Sequence, residues 1–222
     1  MLWALGNPAS FLLLLLGFLL AITLRGVVQA AIASRQGDAG PAREGCLRPD
    51  PRRHLDPFGG VAAAIAGVGW GRTLGRVDRR RRAALVTLTV LPSGVLVAVG
   101  LGLLVAFAGR TGLSVGTGAS ALLRHGSGLA VADSALLLVG LMLVFVALLC
   151  LVPLPPLDGG RLLFGLAPQT PGWRKAEFYL AEQNYGTAVV LLLLLPLGGS
   201  TTLLLSVLDT LAGPLLRLVT GG

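Results

Sequence analysis

Charge is what this sequence has least of. Only 13% of its 222 residues are Asp, Glu, Lys or Arg, against about 25% in a soluble domain, while 54% are hydrophobic. That balance excludes a water-soluble globular domain, and no polar segment is long enough to form one beside a membrane part. A single integral membrane domain over residues 1–222 is therefore expected, with the lipid bilayer as its first partner. Cysteine is scarce too. Cys46 and Cys150 lie far apart with no C-x-x-C pair, which excludes a disulfide framework and a zinc–thiolate site. Aromatics make up 5% of the chain and no nucleic-acid motif is present, so the formal charge of +8 does not point to nucleic acid. Histidine occurs only at positions 54 and 125, and no carboxylates are spaced as an acid–base pair. No Lys or Arg precedes the first apolar run, and that run is too long for a secretory signal.

What the chain has instead is a series of membrane-length apolar runs. The first covers residues 9–33 and is interrupted only by Arg25, about 20 Å into the span at 1.5 Å per residue. Residues 58–71 are apolar, Gly- and Ala-rich and too short to span, so they read as a re-entrant or interfacial segment. Residues 83–108 are the second span, and 131–152 the third. A last apolar region, 186–219, is broken at Pro196, Leu197, Gly198, Gly199 and Ser200. It is either two tightly joined spans or one span and an interfacial helix, and two are expected. The predicted fold is all-α and polytopic, with about five transmembrane helices plus the re-entrant segment.

Lys/Arg asymmetry sets orientation over short loops. Arg35, Arg43, Arg48, Arg52 and Arg53 fall in 35–57. Arg72, Arg76 and Arg79 through Arg82 fall in 72–82, and Arg161, Arg174 and Lys175 in 161–185. These three loops are expected in the cytoplasm of a multi-pass cell-membrane protein, as anchors near anionic lipid. The 109–130 linker, a Gly/Ser-rich stretch, and the N-terminus are then outside. This holds only if 58–71 does not cross, and it puts Arg25 and Asp158 at similar depth in the cytoplasmic half.

The third span runs into the stretch Val152, Pro153, Leu154, Pro155, Pro156, Leu157, Asp158, Gly159, Gly160. Three prolines remove backbone donors, and two glycines let the chain turn tightly after Asp158. Irregular backbone at membrane depth is tolerated only under protein or a water-filled cavity. An ionisable group there marks a functional site by default, and the plainer reading is a carboxylate solvated at a helix end.

This stretch resembles the N-x-x-P-x-P-x-L-D-G-G element of the site-2 proteases, which are intramembrane zinc metalloproteases. His54, Asp56, Pro57 and Gly59 are similar to the family's H-x-D-P-x-G. Gly37–Asp38 and Tyr185–Gly186 also fit in order along the chain. The resemblance implies a site-2-protease-like fold, a cleft loop of Pro153, Pro155, Pro156, Gly159 and Gly160, and Asp158 as the third zinc ligand.

The departures fall on the catalytic positions. Where the family carries H-E-x-x-H, two zinc-binding His with a Glu base, this chain has Arg25, Gly26 and Gln29. Cys150 stands for the family's Asn before the prolines, and Gly94, near Pro92, for a second Asn. Catalytic zinc needs three protein ligands and a bound water, and only Asp158 is retained. Arg25 has no lone pair to offer. The bland reading of His54 is a loop residue near the headgroups, and of His125 a solvated loop residue. The expectation is a catalytically inactive homologue, a pseudoprotease without zinc, that binds or regulates membrane-protein partners through their transmembrane helices. One alternative is an active zinc protease, with zinc as cofactor. Another is a small transporter or channel with a polar path through Arg25, Asp133 and Asp158. Arg25, Gln29 and Asp158 are expected to line a polar cleft. Arg25 would pair bidentately with Asp158, and Gln29, one turn on, would satisfy a remaining oxygen.

Overall fold

In the computed structural model the residues described are 1–74, 82–116, 118–196 and 202–221. The helices are α1 (Pro8–Arg35), α2 (Gly40–Arg43), α3 (Pro51–His54), α4 (Pro57–Ala66), α5 (Arg82–Thr111) and α6 (Ser120–His125). They continue with α7 (Val131–Leu151), α8 (Asp158–Leu166), α9 (Pro171–Glu177), α10 (Tyr185–Leu194) and α11 (Leu203–Thr220). A wider turn, Phe178–Glu182, extends α9. The chain is an all-α polytopic membrane protein, since α1, α5, α7 and α11 are long and apolar enough to cross a bilayer.

The local signals explain where these helices start. The Asn7 side chain accepts from the Ser10 amide at 3.2 Å, and Pro8 occupies the first turn where its missing N–H costs nothing. Residues 141–147 of α7 are all fully buried, so α7 is the central helix, apolar on every side. It packs against α1 and α5, which also pack against each other. Gly100 of α5 and Gly140 of α7 face one another there, small residues that let two membrane helices approach closely.

The short apolar segment turns back on itself. Helix α4 is only ten residues, about 15 Å, and the chain then returns extended. Gly71 pairs antiparallel with Leu55, and the Arg72 amide donates to the His54 carbonyl at 2.7 Å. Both ends of the excursion therefore meet at one point, so the stretches before and after it lie on the same side.

Two expectations change. Among the described residues the count of about five spans becomes four full-length helices, because α10 has ten residues and covers about half of a ~30 Å hydrocarbon core. Residues 197–200 of the break before α11, and Arg76, Arg79, Arg80 and Arg81, lie outside the described residues. The 109–130 linker is not wholly irregular: α5 runs on to Thr111 and α6 follows, with Arg124 buried. Asp209 of α11 accepts from the Ser120 amide at 3.0 Å, which supplies α6 with the cap its own sequence lacks.

Candidate functional site

Arg25 and Gln29 are four residues apart on α1, so they share one face and one turn of height. Facing them is the start of α8. Helix α7 stops at Leu151, Pro153, Pro155 and Pro156 keep the following stretch out of a helix, and α8 begins with Asp158 in its first turn. A carboxylate is favoured there by the unpaired amides and dipole of a helix N-terminus. Gly159 and Gly160 have no room for a side chain, since one would overlap the backbone of Leu151, Val152, Leu154 and Pro155. The tight turn that aims Asp158 at α1 therefore needs both glycines.

Arg25 Nη2 donates to Asp158 Oδ2 in a buried ion pair. Gln29 Nε2 donates to the same oxygen at 2.8 Å and to the Leu88 carbonyl at 3.4 Å. Gln29 Oε1 accepts from the Leu74 amide at 3.1 Å. The Leu74 carbonyl in turn accepts from Arg161 Nη1 at 2.9 Å, and Thr73 Oγ1 donates to the Pro156 carbonyl at 3.3 Å. The chain returning from α4 thus lies across the pair, tied to α1, to the proline loop and to α8.

The arrangement departs from the expected one in two respects. Arg25 is not bidentate: its Nε and Nη1, and Asp158 Oδ1, have no partner among the described residues. Gln29 shares Oδ2 with Arg25 and leaves Oδ1 unmet, because its amide is also drawn to Leu88 and Leu74. The second departure is burial. Arg25 is 1% exposed and Gln29 and Asp158 are 0%, so the three form a sealed polar core and do not line a cleft. Charge neutralisation and hydrogen bonding inside the group let apolar side chains close over it. A cavity of about 260 Å³ lies beside it, bordered by Thr73, Pro155, Pro156, Gly160 and Arg161. Pro153 and Gly159 border a separate groove.

His54 is the residue that the sequence placed least well. It is fully buried at the end of α3, and not a loop side chain near the headgroups. Its ring fills the space in front of Gly26, where a Cβ would lie 2.7–2.8 Å from Cγ and Cε1. Its Nε2 is 3.3 Å from the Arg48 carbonyl, so the neutral ring carries its proton there and leaves Nδ1 unpartnered. Burial pulls the His54 pKa below its usual 6.5. Cys150 is also fully buried, in the last turn of α7. His125 is exposed at the end of α6.

Asp133 is not part of this group. It pairs with Arg110 at 3.1 Å in the first turn of α7, about 30 Å from the other end of that 21-residue helix. The polar path through Arg25, Asp133 and Asp158 is not assembled. Leu88 is the further participant that sequence could have revealed. Pro92 lies inside α5, and a proline there leaves the carbonyl four residues earlier without its donor.

Comparison with known proteins adds one relative. Over 193 residues the chain is 34% identical to a protein of Bacillus subtilis (strain 168) named "Putative zinc metalloprotease YwhC", covering 83% of this chain and 81% of that one. The chain belongs to the family of YwhC. No family model matches it, and no solved structure does.

Whether this YwhC relative could hold zinc is a question about donors. A catalytic site needs three ligands and an open position. Among the buried His, Asp and Glu side chains described, two ligand atoms lack a hydrogen-bond partner, Asp158 Oδ1 and His54 Nδ1. Among the described residues no three His, Cys, Asp or Glu side chains come together as a metal site. The carboxylate that would bind a cation already holds a guanidinium. As placed here, the described residues do not assemble the three ligands of a catalytic zinc.

Proposed function

We propose that this chain is a catalytically inactive, site-2-protease-like membrane protein, one integral domain over residues 1–222. In this reading it binds or regulates membrane-protein partners and cleaves nothing. The observation that carries the reading is the ion pair of Arg25 with Asp158, backed by Gln29. A guanidinium neutralises the carboxylate, so the centre needs no metal for charge balance, and no carboxylate stands at the position from which the family activates a water. Glu at position 26 would be required for a base in the family pattern, and Gly26 with His54 packed on it leaves that role empty.

The reading supported by the relative's name is an active zinc metalloprotease. Its structural support is the pair of unpartnered donors, His54 Nδ1 and Asp158 Oδ1. Metal analysis of the purified protein after zinc loading separates the two, together with incubation of a model transmembrane substrate. The inactive reading expects no stoichiometric zinc and no cleavage. About one equivalent of zinc with chelator-sensitive cleavage, lost in Asp158→Ala, would overturn it.

A further inference from the structure

Helix α8 borders, beside the Asp158 site, a groove that the buried ion pair does not line. Leu151, Pro153, Leu163, Leu166, Ala167 and Trp173 border this groove of about 430 Å³. No charged side chain borders it, and Leu151, Leu163, Leu166 and Trp173 are each 36–38% exposed. The position of the groove decides what can fill it. Leu151 is the last residue of α7, and a 21-residue apolar helix is just long enough to cross the hydrocarbon core. The groove therefore opens where hydrocarbon gives way to headgroups.

Aromatic placement marks the same level. Both tyrosines of the chain, Tyr179 and Tyr185, and one of its three tryptophans lie in the segment that follows α8. The tyrosines are 44% and 57% exposed, as suits rings with a polar tip at a membrane–water interface. Trp173 is held at the groove by an edge-to-face contact with Phe164, with ring centroids 6.0 Å apart. Arg174 and Lys175 follow it on α9, both exposed. The nearest acid on that helix, Glu177, borders the other cavity, beside Pro155 and Pro156.

We infer that this groove binds an anionic phospholipid, with an acyl chain against Leu151, Leu163 and Leu166 and the phosphate at Arg174 and Lys175. The apolar wall accounts for the chain, and the adjacent cations for the preference in headgroup charge. The test uses full-length protein in phosphatidylcholine vesicles containing one-fifth phosphatidylglycerol. Bromine is placed on the acyl chains of the phosphatidylglycerol alone, or of an equal fraction of the phosphatidylcholine. The Trp173 signal is the quenching in wild type minus that in Trp173→Phe. Brominated phosphatidylglycerol should be favoured by about fivefold or more, the effect of one basic side chain near an anionic surface. In Arg174→Gln/Lys175→Gln the preference should vanish while quenching by either lipid persists. Equal quenching of the wild type by both lipids would reduce the groove to ordinary lipid contact and overturn the inference. Absence of Trp173 quenching by either lipid would also overturn it, because a protein surface such as a second copy would then fill the groove.

Discussion

The side-chain amide of Gln29 donates to the carbonyl of Leu88. That carbonyl is the one Pro92 strips of its helical donor, four residues on in α5. A single glutamine on α1 thus repairs a proline break in α5, caps the Leu74 amide and supports the carboxylate of Asp158. In lipid an orphaned backbone group costs several kcal/mol, so this exchange links four parts of the chain that no stretch of sequence joins.

Gln29→Leu should destabilise the protein by about 2–5 kcal/mol in detergent, since it orphans one buried donor, one buried carbonyl and part of a carboxylate's coordination. Gln29→Glu should be worse, because it sets a second carboxylate against Asp158. Thermal unfolding of the purified variants measures both. Wild-type stability in Gln29→Leu would show that the side chain joins nothing.

Arg25→Leu and Asp158→Leu should each cost about 3–5 kcal/mol, because each leaves a buried charge without its partner. The double variant should recover much of that loss. A double-mutant cycle by denaturant unfolding checks it, and strictly additive losses would mean that the two charges are not coupled.

Gly26→Ala should destabilise by about 1–3 kcal/mol, as the new methyl would overlap the His54 ring. Removing the ring in Gly26→Ala/His54→Ala should return part of that loss, and failure to do so would separate the two sites.

His54 also predicts a pH dependence. Burial holds its folded pKa below the unfolded 6.5, so the fold favours the neutral ring. Its contribution is fully present above pH 6.5 and is lost as pH falls from there through the lower folded value. The drop in stability between pH 7 and 5 should be shallower in His54→Gln than in wild type. Equal slopes would assign the drop to other groups.

Orientation is open to a labelling test. Cysteine at position 116 should react with an impermeant reagent from outside, whereas cysteine at position 78 or 174 should not. Lys/Arg asymmetry and the pairing of Leu55 with Gly71 both call for this. Cys46 and Cys150 are buried and should give a low background. Outside labelling at position 78 would mean that residues 58–71 cross the membrane.

What the sequence by itself determined is the set of properties that are local along the chain. A lipid-embedded segment must satisfy its own backbone hydrogen bonds, so run length and composition marked α1, α5 and α7 within a few residues of their ends. The same rule made residues 58–71 too short to cross. It made Arg25, in the first run, and Asp158, at the end of the third, the charges that had to be accounted for. Pro92 already signalled an orphan carbonyl at Leu88, but not what would meet it. Tertiary structure decided the rest. The last apolar region divides into a half-length α10 and a full α11, because the break after Leu194 comes too early for two spans. Helix stacking brought Asp158 to α1 across 133 residues of chain and placed His54 over Gly26. Which oxygen Gln29 reaches, and whether the polar group opens to a cleft or is sealed, depend on the aim of side chains between packed helices. Hydropathy carries no record of that direction, since it averages over every face of a helix while a contact belongs to one.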